Sequence, residues 1–404
     1  MKQKYNFIQY ILITLVIARF IFLLNSYNND EIILSKDSMS FLTLSGDISF
    51  YYFNDNLNNF WASTFRPIGF PIILNIFTSI FDYKYFIFLN FFFDLITCFY
   101  LFRIVSMILD DEYAKISSIL FLINLNVLVS STEILTESIS LLFFTISIYY
   151  LLNKNIYMSG FFLSLFSLIK PYGLYFFISF FIILLLIHKL SAKKMILFSF
   201  FPLFTFLPIL VNNYIQYEKA FISTSGSFSI LYLNDASEQL CKEIDFENEI
   251  VSNPTWTQNN FNDSLTSDEI TNSRKYIEVL NTKATNGLFR NLECKAISVM
   301  RSAYYQLFGI RSSNWNNIIS GTGFYAIAAF SALIVIISNI SFVSYLFIKK
   351  NKSVNIVYFL TMLHILICAL IPYGNSRFRV LVEPLLIVLI LYFLHYLINK
   401  NSTI

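Results

Sequence analysis

PIGFPIILNIFTSIF, residues 67–81, is the ambiguous segment in a chain that otherwise alternates apolar runs with short polar breaks. It carries no charge, but it is short and opens with two prolines and a glycine. A membrane-crossing helix needs about 20 mostly apolar residues to cover roughly 30 Å of hydrocarbon. Ten other segments are candidate spans on that count: 7–25, 84–106, 113–130, 134–152, 156–170, 172–188, 195–215, 321–348, 354–372 and 380–398. Lys and Arg in short loops collect on the cytoplasmic side, which settles the eleventh. If 67–81 does not cross, then Lys2, Lys4, Arg103, Lys115, Lys154, the groups Lys189/Lys193/Lys194 and Lys349/Lys350/Lys352, and Lys400 all lie inside. If it crosses, every later cluster but one lands outside. The sequence therefore predicts ten transmembrane helices, both termini cytoplasmic, and 67–81 as a helix lying on the outer surface.

Composition independently sets the class. A 404-residue chain that is 56% hydrophobic, 19% aromatic and 13% charged carries more apolar surface than a soluble core of this size can hide. The fold class expected is an all-α polytopic membrane protein. The first apolar helix has no small-residue cleavage site and is expected to be retained as a span. A net charge of +3 is too small to argue for nucleic acid. The parts are an N-terminal transmembrane module, 1–215, with seven helices and a first outer loop over 26–83, an extracytoplasmic loop or cap, 216–320, and C-terminal helices, 321–404.

This topology leaves a set of charges on the outer side: Asp37, Asp47 and Arg66 in the first loop, Glu133 and Glu137 in the second, Lys170 beside Pro171 in the third, and Arg377 and Arg379 before the last span. Any one of them reads as a solvated loop residue. Four basic residues on the side that the lysine bias avoids, beside four acids, read as a site. Arg19 lies about one and a half turns from the outer end of the first helix, where it either snorkels or meets a partner, and Asp94 in the second helix is a candidate partner. In the first loop, Asp47 is a candidate general base, Tyr51, Tyr52 and Trp61 offer flat faces to a sugar, and Arg66 before Pro67 suits a phosphate. For each aromatic alone, an interfacial belt is the simpler reading.

The ordered series GDISFYY and FRPIGFP in the first loop, LTESISLLFF at 135–144, LIKPYG at 168–173, NNYIQYEKAFISTSGSFSILYLND at 212–235 and RFRVLVEPLL at 377–386 resembles the bacterial branch of the GT-C membrane glycosyltransferases. That branch is similar to protein O-mannosyltransferases and lipid A aminoarabinose transferases. The resemblance implies transfer of a sugar from a polyprenyl-phosphate carrier to a lipid, glycan or protein acceptor at the outer face of the cytoplasmic membrane. By position it implies Asp47 as the catalytic aspartate, with Asp37 as the alternative, since the acidic pair frequent in the family is missing here. Glu137, or Glu133 close behind it, matches the second-loop acid. Arg66, Lys170, Arg377 and Arg379 match the residues that serve the lipid phosphate. The arginine often found before the large loop is here Asn212 or Asn213. Some relatives hold a divalent cation with carboxylates, so Mg or Mn through Asp47 and Glu137 is conceivable.

The physical demands of the reaction agree with this division. Glycosyl transfer from a lipid phosphate builds positive charge on the sugar and negative charge on the departing phosphate, so it needs a base on one side and cations on the other. Cys241 and Cys294 share the large loop and could form a disulfide in an oxidising compartment, whereas Cys98 and Cys368 read as packing residues. Within that loop, 273–309 has the spacing of amphipathic helices that could lie over the outer face. Two other readings are a lipid-linked glycan polymerase or ligase, with Arg290, Arg301 and Arg311 as its key residues, and a flippase of lipid-linked sugars. The chain lacks the internal repeats and paired Gly/Pro interruptions that a transporter would usually show.

Overall fold

A computed structural model describes residues 2–29, 33–46, 67–189, 191–242, 264–266, 273–308, 322–348, 351–370 and 379–401. Among these residues every regular element is helical. The elements are α1 (Lys2–Tyr27), α2 (Lys36–Gly46), α3 (Gly69–Thr78), α4 (Phe86–Ile108), α5 (Asp111–Leu122), α6 (Leu125–Ser131), α7 (Glu137–Leu152), α8 (Ile156–Ile169) and α9 (Gly173–Ile182), the last prolonged by a π turn, Ile183–Ile187. They continue with α10 (Ala192–Tyr217), α11 (Ser225–Lys242), α12 (Ser273–Gly287), α13 (Leu292–Phe308), α14 (Thr322–Ser344), α15 (Lys352–Ala369) and α16 (Glu383–Asn401).

Each of the ten expected spans contains helix, but the described helices differ in reach. Five are long and apolar enough to cross a membrane: Phe7–Tyr27, Tyr83–Ile108, Ala192–Tyr217, Lys352–Ala369 and Val380–Asn399. A sixth arises if α5 and α6, bent by 55° at their junction, count as one broken span. With 16 and 14 residues, α7 and α8 reach about 24 and 21 Å at 1.5 Å per residue, short of the hydrocarbon thickness. The shortening of α7 has a local cause. The expected span begins at 134, yet the helix starts at Glu137, because Glu133–Thr136 turns to meet its neighbours. The α5–α6 break is also local: Asn124 leaves the helical region and its side chain accepts from the Val127 amide, capping a new helix.

Most of the later helices share one large apolar core with α4 and α5. Phe144 of α7 stacks on Phe166 of α8 and meets Phe176 of α9 edge-on, with centroids 5.1 and 4.7 Å apart. The same core takes in Val354, Ile356 and Val357 of α15 and Leu385 to Leu389 of α16, so the last helices complete the body that the early ones begin. Gly160 of α8 lets Phe198 and Phe201 of α10 approach, since a Cβ there would lie 2.9 Å from the Phe201 ring. Close contact at a small residue suits helices that gain little from apolar burial in lipid.

The two ends of this body differ. At one end lie the turns that hold lysines. His188, at the end of the π turn, lies near both Lys352 and Lys154. Lys154 and Lys189 make their turns in left-handed conformations, with φ of 58° and 50°. At the opposite end, α3 lies against the bundle: Phe70 and Leu74 are buried with Leu23, Phe86, Ile134 and Ile169. Residues 69–78 thus form a short helix, as the sequence suggests, packed on its neighbours through Gly69, Phe70, Pro71 and Leu74. The described part of the large loop has its own core of Tyr217, Phe228, Leu231, Tyr276, Ile277 and Leu280, built by α11, α12 and the end of α10.

Candidate functional site

The buried polar residues gather around one stretch, 124–140, which reads NLNVLVSSTEILTESIS. From Val129 to Leu142 every residue is buried, including Ser130, Ser131, Thr132, Glu133, Thr136, Glu137, Ser138 and Ser140. Irregular backbone at membrane depth is tolerated where protein surrounds it and satisfies it. Asn90 of α4 does so, donating its amide to the carbonyls of Glu133, at 2.9 Å, and Ser131, at 3.4 Å. The Ile134 amide donates to the Ile33 carbonyl, which ties the segment to the start of the first loop.

Three ion pairs fan out from this stretch. The first is Arg19 of α1, whose Nη2 donates to Asp94 of α4 at 2.7 Å and to Ser131 at 3.4 Å. Of the two sequence-level possibilities for Arg19, snorkelling and pairing, the structure has the pair, fully enclosed at 3% and 0% side-chain exposure. Among the described residues, Arg19 Nε and Nη1 and Asp94 Oδ1 have no hydrogen-bond partner. The second is Glu137 with Lys170, whose Nζ donates at 3.2 Å. Glu137 stands in the first turn of α7 and Lys170 at the C-cap of α8, so each charge also has the favourable sign for its helix end. The third is Arg379 with Glu383, at 2.7 Å, beside Asn124 and Asn126, which donate to the same carboxylate at 3.0 and 2.7 Å. Arg379 also donates to Ser338 at 2.6 Å and to the Leu307 carbonyl.

The first loop reaches this stretch through α2 and α3. Ser35 and Ser38 cap the start of α2 reciprocally, each side chain accepting from the other's amide, and Asp37 occupies the first turn, where an anion favours the helix. Phe41 of α2 meets Phe70 of α3 edge-on, and Asn75 donates to the Ser45 carbonyl at 2.5 Å. In turn, α3 touches the end of α8: a Cβ on Gly69 would lie 2.7 Å from the Leu168 carbonyl oxygen. After the loop, the described chain thus packs on Leu168, which precedes Lys170 by two residues. Asp47, Tyr51, Tyr52, Trp61, Arg66 and Arg377 lie outside the described residues.

Several expectations are refined by this geometry. Glu137 and Lys170, assigned separately from sequence, are partners, and Glu133 lies buried nearby in the same stretch. Arg379 is enclosed, and each of its nitrogens is engaged by protein. For a divalent cation at Glu137, the Lys170 ammonium already on the carboxylate opposes a second positive charge, and among the described residues no three His, Cys, Asp or Glu side chains converge as ligands. Cys294 is disulfide-bonded, while Cys98 and Cys368 are free and buried; the Cys241 side chain lies outside the described residues. Burial raises the Tyr276 phenol above its ordinary value inside the loop core.

Glu383, Asn90, Asn124 and Asn126 were not singled out by sequence reasoning. Glu383 had a signal available, as a lone acid inside an otherwise apolar candidate span. The asparagines had none, since the chain is rich in Asn throughout. Comparison with protein-family models and with curated proteins finds no match to this chain.

Proposed function

We propose that the protein is an integral membrane glycosyltransferase that moves a sugar from a polyprenyl-phosphate donor to an envelope lipid, glycan or protein at the extracytoplasmic side of the cytoplasmic membrane. The observation that supports this reading is the contact of Gly69 with Leu168, two residues before Lys170, which brings the described end of the first loop to the helix end that carries the Glu137–Lys170 pair. The reading sets an acid of that loop against a buried acid and a cation at one end of an apolar bundle. That is the division glycosyl transfer needs, a base toward the acceptor and positive charge toward the departing phosphate.

In this reading Asp47 takes the proton of the acceptor, with Asp37 as its alternative, and Arg66, Lys170 and Arg377 face the phosphate. Glu137 holds Lys170 in place. Arg379 serves as an internal brace, because its donors are committed to Glu383, Ser338 and the Leu307 carbonyl. Tyr51 and Tyr52 line the sugar, and the apolar helix faces receive the prenyl tail. The disulfide at Cys294 supports an oxidising side for the large loop.

The test is transfer in isolated membranes from labelled polyprenyl-phosphate sugars to extracted envelope acceptors. Asp47→Asn is expected to lower transfer by about 100-fold or more, in the range for loss of a general base, with donor binding retained. Asp37→Asn, run in parallel, identifies the base if Asp47→Asn stays active. Absence of transfer by the wild-type protein with every donor would overturn the reading.

A further inference from the structure

In the large polar loop, α13 (Leu292–Phe308) is inside-out. The side it turns to the protein carries Lys295, Ser298 and Ser302, at 7%, 4% and 1% exposure, whereas the side it leaves uncovered carries Ile297, Met300 and Tyr304, at 44%, 63% and 58%. Leu292 and Phe289, just before it, extend the same apolar stripe. A cap helix in water buries its apolar face and exposes its polar one. The opposite arrangement, with small hydroxyl residues at the helix contact and large apolar ones outside, is how helices pack in lipid.

Its end also meets the bundle of apolar helices. The Leu307 carbonyl accepts from Asn339 at 2.7 Å, and Asn339 lies only five residues before the end of α14 at Ser344. Arg379 donates to the same carbonyl. The last turn of α13 therefore lies alongside the later turns of α14 at the end of the bundle that holds Arg379, and α13 packs on α15, a candidate span, as well as on α11 of the loop core. Both bundle helices that α13 packs on are themselves apolar outside: α14 exposes Leu333, Ile336 and Ile340, and α15 exposes Phe359, Met362 and Leu366.

We propose that α13 is a membrane-inserted helix at the polar end of the bundle, with Ile297, Met300 and Tyr304 in contact with lipid. The occupant of the stripe is the bilayer itself. Glu293 in the first turn stays at the surface. The large loop is thus only partly a cap over the membrane, since its second half is anchored within it.

The experiment places a nitroxide, singly, at Ile297→Cys, Met300→Cys, Tyr304→Cys, Thr282→Cys and Thr285→Cys. The full chain carries Cys98→Ala and Cys368→Ala, keeps its disulfide, and is reconstituted in phosphatidylethanolamine/phosphatidylglycerol vesicles. Collision with apolar oxygen is compared with collision with a water-soluble nickel chelate. Oxygen is expected to exceed the chelate severalfold at 297, 300 and 304, and the chelate to dominate at 282 and 285, which are exposed on α12. Chelate dominance at 300 and 304 would make α13 part of a water-exposed cap. Low collision with both would mean that another protein segment or a second copy covers the stripe. Either result overturns the proposal, and neither bears on whether the protein transfers sugars.

Discussion

Gly69 and Arg19 show how much depends on single side chains at the polar end of the bundle. Gly69 permits the contact between α3 and Leu168, and the atoms that a methyl group would meet are backbone, which cannot rotate away. Gly69→Ala is expected to destabilise the protein by about 1–3 kcal/mol, the usual cost of overpacking, and to loosen the first loop. Gly46→Ala is the control, since nothing lies within 4 Å of its position. Thermal unfolding in nanodiscs separates the two. For the Arg19–Asp94 pair, Arg19→Leu or Asp94→Leu alone strands a buried charge and is expected to cost about 3 kcal/mol. The double substitution should recover most of that loss. If the two single losses simply add, the pair is not coupled as its 2.7 Å geometry requires.

At the scale of elements, the stretch between α6 and α7 is the unusual one, because its backbone leaves the helix where the surroundings are apolar. Asn90 substitutes for the missing helical partners of Ser131 and Glu133. Asn90→Leu is expected to speed amide hydrogen exchange across residues 131–136 by about tenfold, equivalent to roughly 1.4 kcal/mol of lost local stability, while exchange in α8 stays unchanged. The sequence made the helices themselves legible, since apolar runs and the lysine bias locate α1, α4, α10, α15 and α16 within a few residues. It also exposed Arg19, Asp94, Glu137 and Lys170, because a charge in or beside an apolar run is conspicuous. It did not reveal that Glu137 and Lys170 pair, or that Asn124 breaks a span. Both depend on which helix faces which, and periodicity within one helix carries no such information. The role of Asn124 was further hidden by the abundance of asparagine elsewhere in the chain.

For the molecule as a whole, the contrast between the two ends is the organising feature, with acids, amides and paired cations at one and lysine turns at the other. Lys154 and Lys189 occupy left-handed turn positions, where a residue with a Cβ is strained by about 1 kcal/mol and glycine is not. Both side chains are exposed, so neither packing nor burial accounts for a lysine there. Lys154→Gly and Lys189→Gly are therefore expected to leave the folded protein as stable as before or slightly more so, by unfolding midpoint. The double variant should instead yield more molecules with α8 to α10 threaded the wrong way, read by reporter fusions after residues 154 and 189. The strain in these two turns would then be a trace of biosynthesis, with the mature protein tolerating a poor conformation so that the nascent chain enters the membrane in the correct direction.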